Sequence, residues 1–130
     1  MPRITLLFAA LHAVLVVVLA ARVAMFRYNA KIAQGDGGDK VMTRRVRAHG
    51  NLIENAPLAL LLLALLELSG LDARWLWGFG GALLAGRLLH AWGLSRRSGT
   101  SPGRMLGMAL TWGVLLGEAG VAIRIFATGA

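Results

Sequence analysis

The alternation of hydrophobic and polar stretches divides this 130-residue chain into four apolar segments. They cover approximately residues 4–26, 46–68, 75–94 and 105–126. Each is close to the ~20 residues that a helix needs to cross the hydrocarbon core of a bilayer. Helices are the expected spanning element, because an open sheet edge cannot satisfy its backbone groups in lipid. The pattern therefore predicts an all-α integral membrane four-helix bundle that forms a single domain over residues 1–130.

The first segment has a second interpretation, a signal peptide with Arg3 as its basic end. Its apolar run over residues 4–21 is longer than the ~7–15 residues typical of such peptides. We therefore expect it to be retained as a true span.

The polar connections predict how the bundle is oriented. Cations concentrate in two of the three connections: Lys31, Lys40, Arg44 and Arg45 in residues 28–45, and Arg96 and Arg97 in residues 95–103. The second connection, residues 69–74, has only Arg74. By the positive-inside rule, we expect the first and third loops to be cytoplasmic.

Composition agrees with a membrane protein and excludes several classes of site. Charged residues make up 15% of the chain, against roughly 25% in ordinary soluble domains. The net charge of +8 does not indicate nucleic acid binding here, because the cations cluster at the ends of apolar runs. The absence of cysteine excludes disulfides, thiolate metal sites and a cysteine nucleophile. The three histidines lie on different segments, without the short spacing typical of zinc ligands.

A polar stripe opens the second apolar segment. Arg47, Asn51 and Glu54 are spaced i, i+4, i+7, which places all three on one face of a helix. Charge within a span costs at least ~2.5 kcal/mol per residue on insertion scales, so it usually faces a partner or a cavity. A cation, an amide and an anion on one face are suited to holding a small zwitterionic molecule.

Further polar residues are expected at the same cytoplasmic half of the bundle. Arg87 and His90 lie at i, i+3 in the third segment, Arg104 opens the fourth, and Arg27 ends the first. With Arg47, Asn51 and Glu54 they form our candidate site.

These residues also have structural interpretations. Arginines at span ends reach toward head groups and set orientation. Arg47 and Glu54 are candidates for an internal salt bridge, and Arg87 needs an anion from Glu54 or from a ligand. Glu118, inside the fourth segment, either pairs with Arg3 or Arg124 or is protonated.

Two glycine pairs in the fourth segment predict close helix packing. Gly103 and Gly107, and Gly113 and Gly117, have the small-residue spacing that lets helix backbones approach each other. Contacts within the bundle and contacts between protomers both fit this spacing.

The motifs resemble those of the family of membrane-associated proteins in eicosanoid and glutathione metabolism, MAPEG. The pattern Arg47-x-x-x-Asn51-x-x-Glu54-x-x-Pro57 is similar to the second-helix signature of that family. Arg87-x-x-His90 and Pro102-x-Arg104 are similar to motifs of its third and fourth helices. The likeness extends over the whole chain and is closest to the small bacterial members, so it implies a bacterial inner membrane protein.

The resemblance implies a homotrimer that binds glutathione as co-substrate between neighbouring protomers. Arg47, Asn51 and Glu54 would hold the charged and amide groups of the peptide, and Arg87 and His90 would line the same pocket. Arg104 would stabilise the thiolate, which would attack a lipophilic electrophile from the bilayer. The expected activity is that of a glutathione transferase or peroxidase, with a role in detoxification.

Departures from the family pattern leave alternatives open. Asn55 and Leu94 stand where many members have tyrosine, and Met105 stands where one branch has serine. These losses fit a non-catalytic membrane scaffold that binds lipids or partners. A small multidrug transporter fits the size and the number of spans. Such proteins need a carboxylate near the middle of the first span, however, and this segment has none.

Overall fold

Four long helices make up the computed structural model, which describes residues 1–96 and 101–129, without the side chains of residues 95 and 96. In chain order they are α1 (Arg3–Ala30), α2 (Lys40–Leu68), α3 (Ala73–Arg96) and α4 (Pro102–Thr128). No strand occurs in these ranges. The predicted all-α class is confirmed. Part of the third connection, including Arg97, lies outside the described residues.

Three of the four described helices, α1, α2 and α4, are long and apolar enough to cross a membrane. Of the four predicted spans, three therefore meet this criterion. Helix α3 has a sufficient length of 24 residues, but Arg87, His90 and several glycines make it less apolar. It also contacts each of the other three helices, so these polar side chains pack against protein.

Local capping explains why two helices begin earlier than the apolar pattern predicts. The Asp39 carboxylate accepts hydrogen bonds from the backbone N–H groups of Val41 and Met42 at 2.7 and 2.8 Å. This satisfies two N–H groups that a helix start leaves free, so α2 begins at Lys40. Helix α4 begins at Pro102, after Ser101 accepts from the N–H of Arg104.

Helices α1 and α2 are joined at both ends of their hairpin. At one end, Glu67 accepts hydrogen bonds from the N–H groups of Ile4 and Thr5 at 2.9 and 2.7 Å, so a side chain of α2 caps α1. At the other end, the Arg45 guanidinium donates to the Arg22 carbonyl at 2.9 Å. The two helices are thereby held in a defined register.

The closest helix contact, between α3 and α4, positions the site. A Cβ atom on Gly107 would lie 2.5 Å from the Gly86 carbonyl oxygen and 2.7 Å from the His90 nitrogen. The predicted close approach is thus confirmed for Gly107, whereas a Cβ on Gly113 would meet nothing within 4 Å. This contact brings the start of α4 against the end of α3.

Candidate functional site

The polar stripe of α2 lines a cavity of about 390 Å³ between three helices. Arg47, Asn51 and Glu54 face it from α2, as the helical spacing predicts. His90 of α3 and Arg104 of α4 complete its polar lining. Five of the seven candidate residues are therefore brought together within one chain.

Burial differs among these residues in a way that suits an open binding site. Arg47 and Glu54 are exposed, Asn51 and Arg104 are half-buried, and His90 is buried. The cavity therefore has a closed floor at His90 and an accessible rim.

A second hollow of about 290 Å³ adjoins the first and shares Arg47 and Arg104 with it. Its other cationic lining residues are Lys40 and Arg44. Arg44 is one of the arginines at span ends for which contact with head groups is expected, and it also lies one turn before Arg47 on α2. Its place in the hollow follows from that second position, because residues 40, 44 and 47 share the same helical spacing.

The sequence predicted that Arg87 would line the cavity. In the structure it does not; it lies behind the cavity wall. Its side chain is 2% exposed. One guanidinium nitrogen donates to the Oδ1 and carbonyl oxygens of Asn51 at 2.7 and 3.2 Å. The other terminal nitrogen lies 3.4 Å from the Met108 sulfur. The expected anionic partner from the protein is absent among the described residues, because Arg87 forms no ion pair there.

Arg27 lies apart from the other candidate residues. Its Nη2 donates to the Gly35 carbonyl at 3.1 Å. It lines a different cavity, of about 720 Å³, together with Lys31 and His49. His49 points away from the face of Arg47, although the two residues are neighbours on α2.

The ion pairs considered as structural alternatives are not formed. In the described ranges the only salt bridge joins Asp72 and Arg74, which are exposed. Arg47 and Glu54 therefore remain available to a ligand. Glu118 is fully buried, and neither of its carboxylate oxygens has a hydrogen-bond partner among the described residues. It pairs with neither Arg3 nor Arg124.

Asn55 has a structural role that its sequence position did not predict. Its Nδ2 donates to the Asn51 carbonyl at 2.9 Å, so the residue in place of the family tyrosine stabilises the turn that carries Asn51. The other tyrosine position, Leu94, lines both polar hollows. The wall of the cavity at this position is therefore aliphatic.

The charges of the site favour a small anion that also carries a cationic group. Arg47 and Arg104 face the cavity directly, Lys40 and Arg44 extend the positive surface, and Glu54 is its one carboxylate. No group of three or more metal-ligating side chains occurs within the described ranges. The arrangement can hold carboxylate groups and stabilise a developing negative charge.

Most of the sequence is similar to known proteins. The model of the MAPEG family matches residues 5–124. The inner membrane protein YecN of Escherichia coli K12 is 34% identical over 113 residues, which cover 87% of this chain and 85% of YecN. YecN of E. coli O6:H1 matches with the same identity and coverage.

Proposed function

Because the chain belongs to the MAPEG family, we propose that it is a membrane-bound glutathione transferase or peroxidase acting on lipophilic electrophiles. The observation that carries this proposal is the cavity in which Arg47, Asn51, Glu54, His90 and Arg104 meet. The relatives' name, inner membrane protein, supports the same location for this chain.

Glutathione offers the groups that this cavity can bind. It has two carboxylates for the guanidinium groups of Arg47 and its cationic neighbours, and an ammonium for Glu54. Asn51 contributes amide hydrogen bonds to the peptide. Charge-assisted hydrogen bonds of this kind are roughly twice as strong as neutral ones, so ligand charge provides most of the selectivity.

Arg104 is the residue we assign to the sulfur. A guanidinium beside a thiol favours the charged form and lowers the pKa of the thiol, so a thiolate exists at neutral pH. The thiol proton leaves to water. The thiolate then attacks an electrophilic carbon and forms a carbon–sulfur bond while the leaving group departs with its electron pair.

A homotrimer supports this function by enclosing the exposed rim of the cavity. Arg47 and Glu54 are exposed on one face of α2, while Arg27, Lys31 and His49 line a separate cavity. In a ring of protomers, the cavity lined by Arg27 could lie against the α2 face of the next protomer. Arg27 would then reach the site of that neighbour. With the first and third loops cytoplasmic, the site opens toward the compartment that contains glutathione.

The test uses purified full-length protein in detergent, mixed with glutathione and 1-chloro-2,4-dinitrobenzene. We expect turnover above the detergent blank, and Arg104→Ala should lower kcat roughly 100-fold. Arg124→Ala is the matched control, because it removes an exposed arginine from the opposite end of the same helix. Absence of wild-type turnover, or equal turnover in both variants, would refute the assignment of Arg104.

A non-catalytic scaffold is the second candidate, favoured by one observation. Leu94 lines the cavity where many family members have a tyrosine hydroxyl. Calorimetric titration with glutathione separates the two functions. Binding without turnover indicates a non-catalytic glutathione-binding protein, and no binding indicates a scaffold with another ligand.

A further inference from the structure

Arg87 is buried directly behind the ligand-facing wall of the cavity. It is 2% exposed and does not line the cavity, so it cannot touch a ligand there. Its shortest hydrogen bond, 2.7 Å, is to Oδ1 of Asn51. Asn51 does line the cavity, and it is the only cavity-lining residue to which Arg87 donates a hydrogen bond within the described part of the chain.

The chemistry of this hydrogen bond determines which way the Asn51 amide points. A guanidinium has N–H donors and no acceptor, so the amide atom beside it must be the oxygen. The amide nitrogen therefore points away from Arg87. It has no hydrogen-bond partner among the described residues and is not one of their fully enclosed, unpartnered atoms. Because Asn51 lines the cavity, its two amide N–H groups are free to donate to a ligand bound there.

The backbone beneath this amide is held as well. The Asn51 carbonyl accepts from Arg87 at 3.2 Å and from the Asn55 side chain at 2.9 Å. Two side chains from different helices thus hold the same turn of α2. Without Arg87, the amide could rotate and present its oxygen to the cavity, which would repel an anionic group.

We propose that Arg87 is a positioning residue, which orients the Asn51 amide so that the site selects a carboxylate or carbonyl oxygen at that point. The inference rests on the proposed function, because it describes how glutathione is recognised. Arg87 acts through Asn51 and not by contact with the peptide.

A double-mutant cycle tests the coupling, with glutathione affinity measured by calorimetry on the full-length protein. Arg87→Met preserves side-chain length and removes the donors. It should raise the Kd about tenfold, as expected for one lost hydrogen bond to a charged ligand. Asn51→Ala should have a similar effect, and the double variant should be no weaker than Asn51→Ala alone.

Two further variants separate positioning from a general structural role. Arg87→Lys keeps a donor for Oδ1 and should recover most of the affinity. Arg45→Met removes another interhelical arginine, one that donates to the Arg22 carbonyl and not to Asn51. It should leave the Kd unchanged even if it lowers the melting temperature.

The outcomes distinguish this inference from the proposed function. If wild-type protein binds glutathione and the effects of Arg87→Met and Asn51→Ala are additive, about hundredfold together, the positioning role is refuted and the binding site stands. An unchanged Kd in Arg87→Met refutes it as well. Absence of binding by the wild type overturns both proposals. In the active enzyme, Arg87→Met should raise KM for the thiol and change kcat by less than about twofold.

Discussion

Gly107 gives the sharpest test of how helix packing forms the site. A Cβ added there would lie 2.5 Å from the Gly86 carbonyl oxygen, and ordinary Cβ contacts begin near 3.4 Å. Helices α3 and α4 would have to separate by roughly 0.9 Å to admit one methyl group. The atoms in the way are backbone as well as side chain, so rotation of a side chain cannot relieve the clash.

The expected cost of Gly107→Ala follows from two opposing effects. Overpacking of a close contact costs about 1–3 kcal/mol, while replacing glycine by alanine within a helix returns up to about 1 kcal/mol. Gly113→Ala is the matched control, because it has the same helix propensity gain and its Cβ would meet nothing within 4 Å. The difference between the two variants therefore isolates the steric term.

The assay is thermal unfolding in one detergent, followed by glutathione titration of the folded protein. We expect a melting temperature several degrees lower for Gly107→Ala than for Gly113→Ala. We also expect weaker binding, because separation of the two helices moves Arg104 from His90. Equal melting temperatures for the two variants would refute the argument that this contact sets the spacing of α3 and α4.

Two further predictions concern the α1–α2 hairpin. Glu67→Gln leaves one acceptor oxygen for the N–H groups of Ile4 and Thr5 and should destabilise the protein by about 1 kcal/mol; unfolding in detergent measures this, and an unchanged stability would contradict the capping role. Hydrogen bonds from the Gly38 N–H and then from the Thr43 hydroxyl lower the pKa of Asp36. Because the pKa of Asp36 is lower in the folded protein, this loop contact stabilises the fold at pH values above the ordinary pKa of 3.8. The stabilisation is lost as pH falls through the lower pKa of the folded state. Limited proteolysis of the loop should therefore accelerate in acid, and equal cleavage of wild type and Asp36→Asn at all pH values would contradict it.

The stripe on α2 could be predicted from the sequence, because helical periodicity alone places Arg47, Asn51 and Glu54 on one face. The positions of His90 and Arg104 at that face could not be predicted from periodicity. They depend on the contact at Gly107, and the glycine spacing indicates a close approach without naming the partner helix. Local pattern therefore predicted the elements, and packing decided which of their residues meet.

Other features had no local signal in the sequence. The cap that Glu67 provides for α1 joins it to Ile4 and Thr5, which precede it by 63 and 62 positions in the chain. No periodicity predicts a contact over that separation. The place of Arg87 behind Asn51, and of Arg27 in another cavity, depends on how each helix is rotated about its axis. The sequence indicated that these arginines need partners and could not indicate which ones.

The hydrogen bonds at both ends of the α1–α2 hairpin have a consequence for how the protein is synthesised and inserted. Glu67 closes one end and Arg45 closes the other, and neither contact uses α3 or α4. Once the second helix has left the ribosome, α1 and α2 can insert into the bilayer as a helical hairpin whose register is already fixed. The later helices then dock on a finished surface, so assembly can proceed in the order of synthesis.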